Sequence, residues 1–377
     1  MKTVAIIYGG KSSEHEVSLV SASSVVRNID RSKFNIELIG ITKEGRWYLQ
    51  PSSELDRVLK DEKATLKVNE NNTNEVYVRP AGKSNCFITS DGAANVDVVF
   101  PVVHGTFCED GTLQGLLDTA EIPYVGCGCM ASGITMDKEK TKVIWNDAGL
   151  PVVPYVLMTR TILNDSKKYD EVFKKAINEL GLPLFVKPCN AGSSVGASKA
   201  STEKEFSMAL MEAFMWDDKV LIEKSINARE VECSVTGIAT LEDKANPCSI
   251  CRAYLPGEIL PTHTFYDYDA KYNDPDGAKL QIPANLSEDE IKNIQQTAIE
   301  AYRAVDASGL SRVDFFIDRD DGKIYLNEIN TLPGFTSISM FPKMCEASGL
   351  KYADLIELLL NEAVVKHECK MKLSTSR

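Results

Sequence analysis

Arg312, Asp314, Glu328 and Asn330 lie in a segment, RVDFFIDRDDGKIYLNEIN, that runs out, turns and comes back. Val313, Phe315 and Ile317 alternate with Arg312, Asp314 and Phe316, the period-two pattern of a strand. Asp318 to Gly322 (DRDDG) is a turn signal, and Ile324 to Asn330 (IYLNEIN) reads as the returning strand. Side chains two apart on a strand share a face, so Arg312 sits with Asp314 and Glu328 with Asn330. Folding about the turn brings Asp314 roughly opposite Glu328. Like charges opposed across a ladder are destabilising, so the arrangement needs a reason. One is a hard cation: Mg²⁺ typically takes one or two carboxylates and completes its shell with substrate phosphates. The other is a solvated polar edge with both acids paired to lysine or arginine.

Other stretches carry groups suited to an anionic ligand. Leu184 to Lys187 (LFVK) is a strand that runs through Pro188 into Asn190-Ala-Gly-Ser-Ser-Val-Gly196, a Gly/Ser loop able to turn backbone N–H groups toward phosphate. It is not GxxxxGK[ST], so it is not a Walker A loop. Lys138 sits in the first turn of a helix capped by Asp137, where a cation opposes the helix dipole; it is either poised for an anion or simply solvated. Val220 to Lys224 (VLIEK) is an apolar strand ending in Glu-Lys, whose edge could meet an adenine. His104 follows the buried run Val96 to Val103, placed either to touch a substrate or to pack. The segment 254–284 reads as one long loop with aromatic residues at 265–272, and loops of that length are usually lids or disordered.

These groups need elements to hold them. Thr3 to Tyr8 (TVAIIY) is a continuous apolar run, as in a buried parallel strand. Gly9-Gly10 breaks it, and Ser13-x-x-Glu16 reads as a capping box that starts a helix at about Glu14. Strand, glycine turn and helix start make a ligand corner in an open α/β sheet, although the third glycine of GxGxxG is missing. Residues 43–90 are polar and read as surface hairpins or an insertion. Ser287-x-x-Glu290 caps an amphipathic helix to about Ala304, and a last helix runs from about Tyr352 to Val365. The expected architecture is α/β, mixed with α+β, in three domains: 1–126, 127–222 and 223–377 with the acidic hairpin and the long loop.

Composition limits the partners. The 377 residues carry 42 Lys+Arg against 54 Asp+Glu, a net charge of −12, which argues against nucleic acid or an anionic membrane. The ten cysteines are scattered, and Cys248-Ser-Ile-Cys251 has no second CxxC or paired histidine. Reduced thiols, no signal-peptide pattern and no membrane-length apolar run point to a cytoplasmic enzyme.

Taken in order, SSEHEVS (12–18), HGTFCEDGTLQG (104–115), MDKEKTK (136–142), VKPCNAGSSVG (186–196), IEK (222–224), FYDYDAKY (265–272), RVDFFID (312–318) and NEINTLPGFTSIS (327–339) resemble the ATP-grasp ligases, and within them closely the D-alanine–D-alanine ligase family. The resemblance covers nearly the whole chain. It implies an ATP-grasp fold behind an N-terminal Rossmann-like domain. The implied reaction joins two D-alanines through a D-alanyl phosphate for peptidoglycan precursors, with ATP, two Mg²⁺ ions (or Mn²⁺) and a homodimer. Carried over by position, Lys138, Lys187, Ser193 and Ser194 would face ATP phosphates, Glu223 and the Lys224 backbone adenine, and Glu230 the ribose. Asp314, Glu328 and Asn330 would ligate metal. Glu14 would hold the ammonium of the first D-alanine, and Ser339 the carboxylate of the second. Arg312 and the Gly334 N–H would oppose the oxyanion. Ser193 and Tyr272 would join Glu14 in the network that positions substrate, with His104 and Lys271 also on the substrate side. Cys189 and Asn190-Ala191 depart from the commoner family pattern beside the loop. Tyr272 and Met340 look like the dipeptide type, whereas D-serine or D-lactate as acceptor, or a nucleotide-binding regulator with a dead site, are the competing expectations.

Overall fold

The computed structural model describes residues 1–70, 72–192, 194–241, 246, 249–261 and 278–374. Chain order begins β1 (Lys2–Gly9), α1 (His15–Asn28), β2 (Phe34–Ile41), β3 (Trp47–Leu49), α2 (Ser52–Lys60), β4 (Tyr77–Val78), β5 (Phe87–Thr89), β6 (Gly92–Ala94), β7 (Val98–Val103) and α3 (Thr112–Thr119). It continues with α4 (Cys129–Met136), α5 (Lys138–Asp147), β8 (Tyr155–Thr159), α6 (Ser166–Leu180), β9 (Leu184–Pro188), β10 (Ser198–Ala200), α7 (Glu203–Trp216) and β11 (Lys219–Lys224). The last part holds β12 (Ala228–Ile238), β13 (Arg252–Ala253), β14 (Gly257–Pro261), β15 (Ala278–Gln281), α8 (Glu288–Ala304), β16 (Ser308–Asp318), β17 (Ile324–Asn330), α9 (Met340–Ala347) and α10 (Tyr352–Met371).

The apolar run at the N-terminus does become a buried parallel strand: β1 lies between β2 and β7, parallel to both, with β3 on the outer edge. Its Gly9 and Gly10 adopt left-handed φ of +89° and +111°, conformations that favour glycine. A second sheet runs β10-β9-β11-β8, and the largest runs β15-β14-β12-β16-β17 with β13 on β12.

Three cores sit under these sheets. The first gathers the N-terminal strands together with Phe341, Leu355, Ile356, Leu359 and Leu360 from α9 and α10. The second packs α5 and α8 on β12, β16 and β17. The third packs α6 and α7 on the sheet of β8 to β11. Trp145 of α5 is fully buried and its indole N–H donates to Ala301 O of α8 at 3.0 Å, which fixes α5 and hence Lys138. The Ser287 capping box on α8 and the Asp137 cap on α5 both form as their sequences require.

Four expectations are corrected. Ser13 and Glu16 form no capping box: the N-cap is Glu14 and carries no side-chain cap bond. Ser12 Oγ accepts from the Glu14 N–H at 3.1 Å instead. Segment 43–90 contains a real helix, α2, whose Leu55 and Val58 are buried, besides a small sheet of β4 to β6. Residues 254–284 are not one open loop, because Glu258 to Pro261 pair antiparallel with Ala278 to Gln281; the stretch 265–272 lies outside the described residues. The last helix extends to Met371 rather than Val365. Among the described residues no helix is long and apolar enough to cross a membrane.

Candidate active site

The acidic hairpin forms in the expected register, Arg312 opposite Asn330 and Asp314 opposite Glu328, with an irregularity between Asp314 and Phe315. Arg312 grips Asp314 through one edge of its guanidinium: Nε donates to Oδ1 and Nη2 to Oδ2, each at 2.7 Å. Asn330 Nδ2 donates to Asp314 Oδ2 at 2.9 Å. On the other flank, β12 sets Glu232 opposite Asp314, and Glu232 Oε2 lies 3.2 Å from Arg312 Nε. Burial works against the guanidinium charge, yet Asp314 and Glu232 outweigh it and hold Arg312 firmly protonated. Glu232 was not singled out from the sequence; its one signal is the alternation Glu230-Val-Glu232, which places it on the hairpin's polar face.

Among the described residues no three His, Cys, Asp or Glu side chains converge as a self-sufficient metal site. Two carboxylates and one amide are hard oxygen donors, the class Mg²⁺ prefers. They are too few to fill an octahedron, so water or phosphate oxygens must complete it. The set fits a metal carried in with a phosphorylated substrate.

Lysines face this hairpin. Lys138 Nζ lies 3.7 Å from Glu328 Oε2 and donates to Ala191 O at 2.7 Å, and its N–H donates to Cys189 O at 3.1 Å. Lys138 thus joins the carboxylates to the Gly/Ser loop. Lys187 Nζ lies 2.8 Å from Glu223 Oε2 and donates to Asn327 Oδ1 at 3.1 Å. Glu223 Oε1 takes a second lysine, Lys142, at 2.8 Å. Burial opposes ionisation of Glu223, but Lys142 and Lys187 prevail and pull it below the ordinary carboxyl range. Burial likewise lowers the Lys142 ammonium. Both Glu223 oxygens therefore serve lysines here. Lys142 is a residue the sequence reading passed over, although it stands four positions after Lys138 on one helix face. The Lys224 side chain is exposed and its N–H donates to Pro154 O at 3.0 Å. Glu230 is half-buried on β12, opposite Ile259 and Phe316.

A second cluster lies where β1 and β7 end. A Cβ built on Gly105, whose φ is +79°, would fall 2.5 Å from Ser12 Oγ and 2.9 Å from Glu14 Oε2, so only glycine fits. A Cβ on Gly192 would lie 3.7 Å from Glu14 Oε2. Glu14 is thus wedged between the β7 turn and the Gly/Ser loop. His104 Nδ1 lies 2.8 Å from Leu332 O and Nε2 3.2 Å from Ser21 Oγ, so both ring nitrogens hold protein partners. Burial lowers its pKa despite the nearby charge of Glu14. Glu109, also unmarked in the sequence reading, accepts from the Gly105 N–H at 2.6 Å. Burial and the charge of Glu14 push its carboxyl up to about 8. The residue as a whole is half-exposed, but its carboxyl points inward to the Gly105 and Leu332 backbone. A protonated Glu109 spares Glu14 a like-charged neighbour.

Ser339 and Gly334 come together in the turn after β17: a Cβ on Gly334 would meet Ser339 Oγ at 3.2 Å. Ser339 Oγ accepts from the Thr336 N–H at 3.0 Å. Ser24 of α1 accepts from the Ser337 N–H at 3.1 Å, tying this turn to Glu14's helix. Ser194 has φ +60° and its carbonyl accepts from the Ala197 N–H at 3.2 Å. Ser193, Lys271 and Tyr272 lie outside the described residues. The arrangement offers a cationic, phosphate-ready wall opposite hard oxygen donors, with a separate carboxylate placed to take an ammonium group.

Residues 3–127 match the family model for the D-ala D-ala ligase N-terminus, and residues 144–361 that for the C-terminus. The chain is 53% identical to a D-alanine–D-alanine ligase of Treponema denticola, covering 99% of each chain. It is 46% identical to one of Shouchella clausii, covering all of this chain and 98% of that one. Its backbone is similar to the D-alanine-D-alanine ligase from Coxiella burnetii, with a TM-score of 0.81 at 34% identity over 99% of this chain and 98% of that chain. It is similar to the same degree to the VanG D-Ala:D-Ser ligase from Enterococcus faecalis, with a TM-score of 0.80 at 36% identity over 96% and 99%.

Proposed function

From the premise that the chain belongs to the D-alanine–D-alanine ligase family, we propose a division of labour among its site residues. The enzyme has the ATP-grasp fold and uses ATP to join two D-alanines, by way of a D-alanyl phosphate, for peptidoglycan synthesis. The observation that carries the assignment of residues is the in-register pair Asp314 and Glu328, with Arg312 between Asp314 and Glu232 and Lys138 bridging to the Gly/Ser loop.

A carboxylate is a poor electrophile, so the first D-alanine is activated by transfer of the γ-phosphoryl group to its carboxylate, releasing ADP. Glu14 holds its ammonium. Lys138, Lys187 and the backbone of Asn190 to Gly196, with Ser193 and Ser194, hold the phosphates; Glu223, Lys224 and Glu230 line the adenosine end. Asp314, Glu328 and Asn330 would hold two Mg²⁺ ions, or Mn²⁺, which when bound would supply positive charge against the phosphoryl oxygens. Arg312 pairs with Asp314, and Glu232 gives it a second carboxylate partner. The amine of the second D-alanine, its carboxylate held by Ser339 and its approach framed by His104, Lys271 and Tyr272, then attacks the acyl carbon. Arg312 and the Gly334 N–H oppose the oxyanion, phosphate leaves, and the amine gives up a proton. Water would hydrolyse the acyl phosphate, so the cluster must close against solvent. The enzyme works in the cytoplasm as a homodimer.

Tyr272 and Met340 favour D-alanine as acceptor. The backbone likeness to a D-Ala:D-Ser ligase does not separate the two acceptors, because a match of backbones leaves open which side chains meet the acceptor. Phosphate release from ATP, with D-alanine offered alone and then with D-serine or D-lactate, followed by product mass, tests the reading. Dialanine is the expected product; a mixed product from limiting D-alanine with D-serine would move the assignment to the D-serine type.

A further inference from the structure

We propose that Trp216 and Asp217, at the C-terminal end of α7, are positioning residues that anchor both ends of the Gly/Ser loop and so set its readiness to take nucleotide phosphates. The proposal rests on the reading of that loop as the ATP phosphate site.

At the loop's entry, the Asn190 N–H and Nδ2 both donate to Asp217 Oδ2, at 2.7 and 2.9 Å. Asp217 is itself fixed, since its Oδ1 accepts from the Asp218 N–H at 2.6 Å and the Lys219 N–H at 3.3 Å. At the exit, Gly196 turns with φ +67°, and a Cβ there would lie 2.5 Å from Trp216 Cδ1 and 3.0 Å from Pro188 Cγ. The backbone therefore rests directly against the indole. Trp216 is 60% exposed, so core burial does not explain its place, whereas Phe206, Leu210 and Phe214 supply the buried face of the same helix. Adjacent residues on one rigid corner thus hold both ends, while Lys138 reaches Ala191, one residue past the entry.

A Gly/Ser loop loses much backbone entropy when it orders around a ligand. Holding its ends in place before binding removes part of that cost, and each immobilised element is worth a few-fold in affinity. The anchors act on the loop and touch no reacting atom.

The test measures Mg²⁺–ATP affinity by calorimetry, Tm, and hydrogen exchange at the Ala197 N–H, for the full chain and three variants. Trp216→Ala is expected to weaken ATP about three- to tenfold and to speed exchange at Ala197, with β9 and β11 protection and Tm little changed. Trp216→Phe, which keeps a ring against Gly196, is expected to restore most of the affinity. Asn190→Ala, which keeps the backbone bond to Asp217, is expected to lose about twofold. Wild-type affinity and unchanged exchange in Trp216→Ala would overturn the proposal, as would a loss that Trp216→Phe does not restore. If Trp216→Ala fails to fold, Trp216→Phe and Asn190→Ala decide: a twofold or greater loss in Asn190→Ala supports the anchors, and wild-type affinity in both overturns them. A wild-type chain that binds no ATP would sink the phosphate-site reading instead, and the exchange comparison would still judge the anchors.

Discussion

Arg312 shows how single residues divide the work. Two hydrogen bonds to Asp314 satisfy one edge of its guanidinium, and Glu232 stands by its Nε. On the proposed division of labour, a metal held by Asp314 would compete with Arg312 for the same lone pairs, and Glu232 would remain as the partner that keeps Arg312 aimed at the acyl centre. Glu232→Gln is expected to lower kcat about ten- to a hundredfold, in the range of outer partners that orient catalytic groups, with KM for ATP nearly unchanged; a rise in KM alone would show that Glu232 serves binding instead. Asp314→Asn and Glu328→Gln are each expected to bring steady-state ATP turnover to background, and near-normal turnover in either would rule out the metal assignment. Glu109 makes a pH prediction. Its folded pKa of about 8 exceeds the ordinary glutamate value, so folding takes up a proton between those two values. Stability is therefore whole below the ordinary glutamate range, falls as pH rises through the window, and levels off above about 8. Glu109→Gln, a neutral stand-in for the protonated acid, should flatten that decline in Tm measured from pH 4 to 9; an unchanged slope would mean that Glu109 titrates normally.

Elements place these residues with different degrees of security. The β16–β17 hairpin is short-range: a turn at Asp318 to Gly322 sets Phe315 to Ile317 against Ile324 to Leu326, and the irregularity between Asp314 and Phe315 shifts the pairing by one residue, which brings Asp314 opposite Glu328. Helix α5 is set by the Asp137 cap, which receives the Glu139 and Lys140 N–H groups. That cap also takes Lys219 Nζ at 2.7 Å. It therefore governs where Lys138 and Lys142 point. Helix α8 carries a complete capping box remote from the reacting groups. Ser287→Ala is expected to lower stability by about 1 kcal/mol in denaturant unfolding, with kcat and KM intact; a comparable loss of activity would show that α8 transmits strain to the hairpin.

At the scale of the molecule, the site exists because separate cores meet. Glu14 and His104 adjoin α1 and β7 of the first, Arg312 and Asp314 sit on β16 of the second, and Lys187 and Glu223 on the strands that cover the third. The chain passes from the first core, at Val125, to the second, at Cys127, through Gly126, where a Cβ on Gly309 would lie 2.7 Å from Gly126 N while Gly309 holds φ +77°. Lys366 of α10 donates to Gly126 O at 2.5 Å and lies 4.4 Å from the Tyr124 ring centroid; burial lowers its pKa to about 8. The last helix thereby clamps the same crossing. Gly309→Ala combines left-handed strain with a backbone collision and is expected to cost at least about 1–3 kcal/mol, read as a lower midpoint in urea; a wild-type midpoint would mean that the crossing yields freely.

Local pattern determined much of this by itself. The hairpin, the Asp137 and Ser287 caps, the buried parallel strand and the Asp314–Glu328 pairing were all legible, because turn chemistry, capping and side-chain alternation act over a few residues. The Ser13–Glu16 box failed because the helix starts one residue later, at Glu14, whose N–H is taken by Ser12. Helix α2 was hidden because its few apolar positions find their core only after folding. Glu232, Glu109 and Lys142 acquire roles from partners far away in sequence, Arg312, Glu14 and Glu223. Tertiary structure alone decided those three, since desolvation and Coulomb attraction depend on distances in space, which a neighbouring strand or core sets and residue order does not.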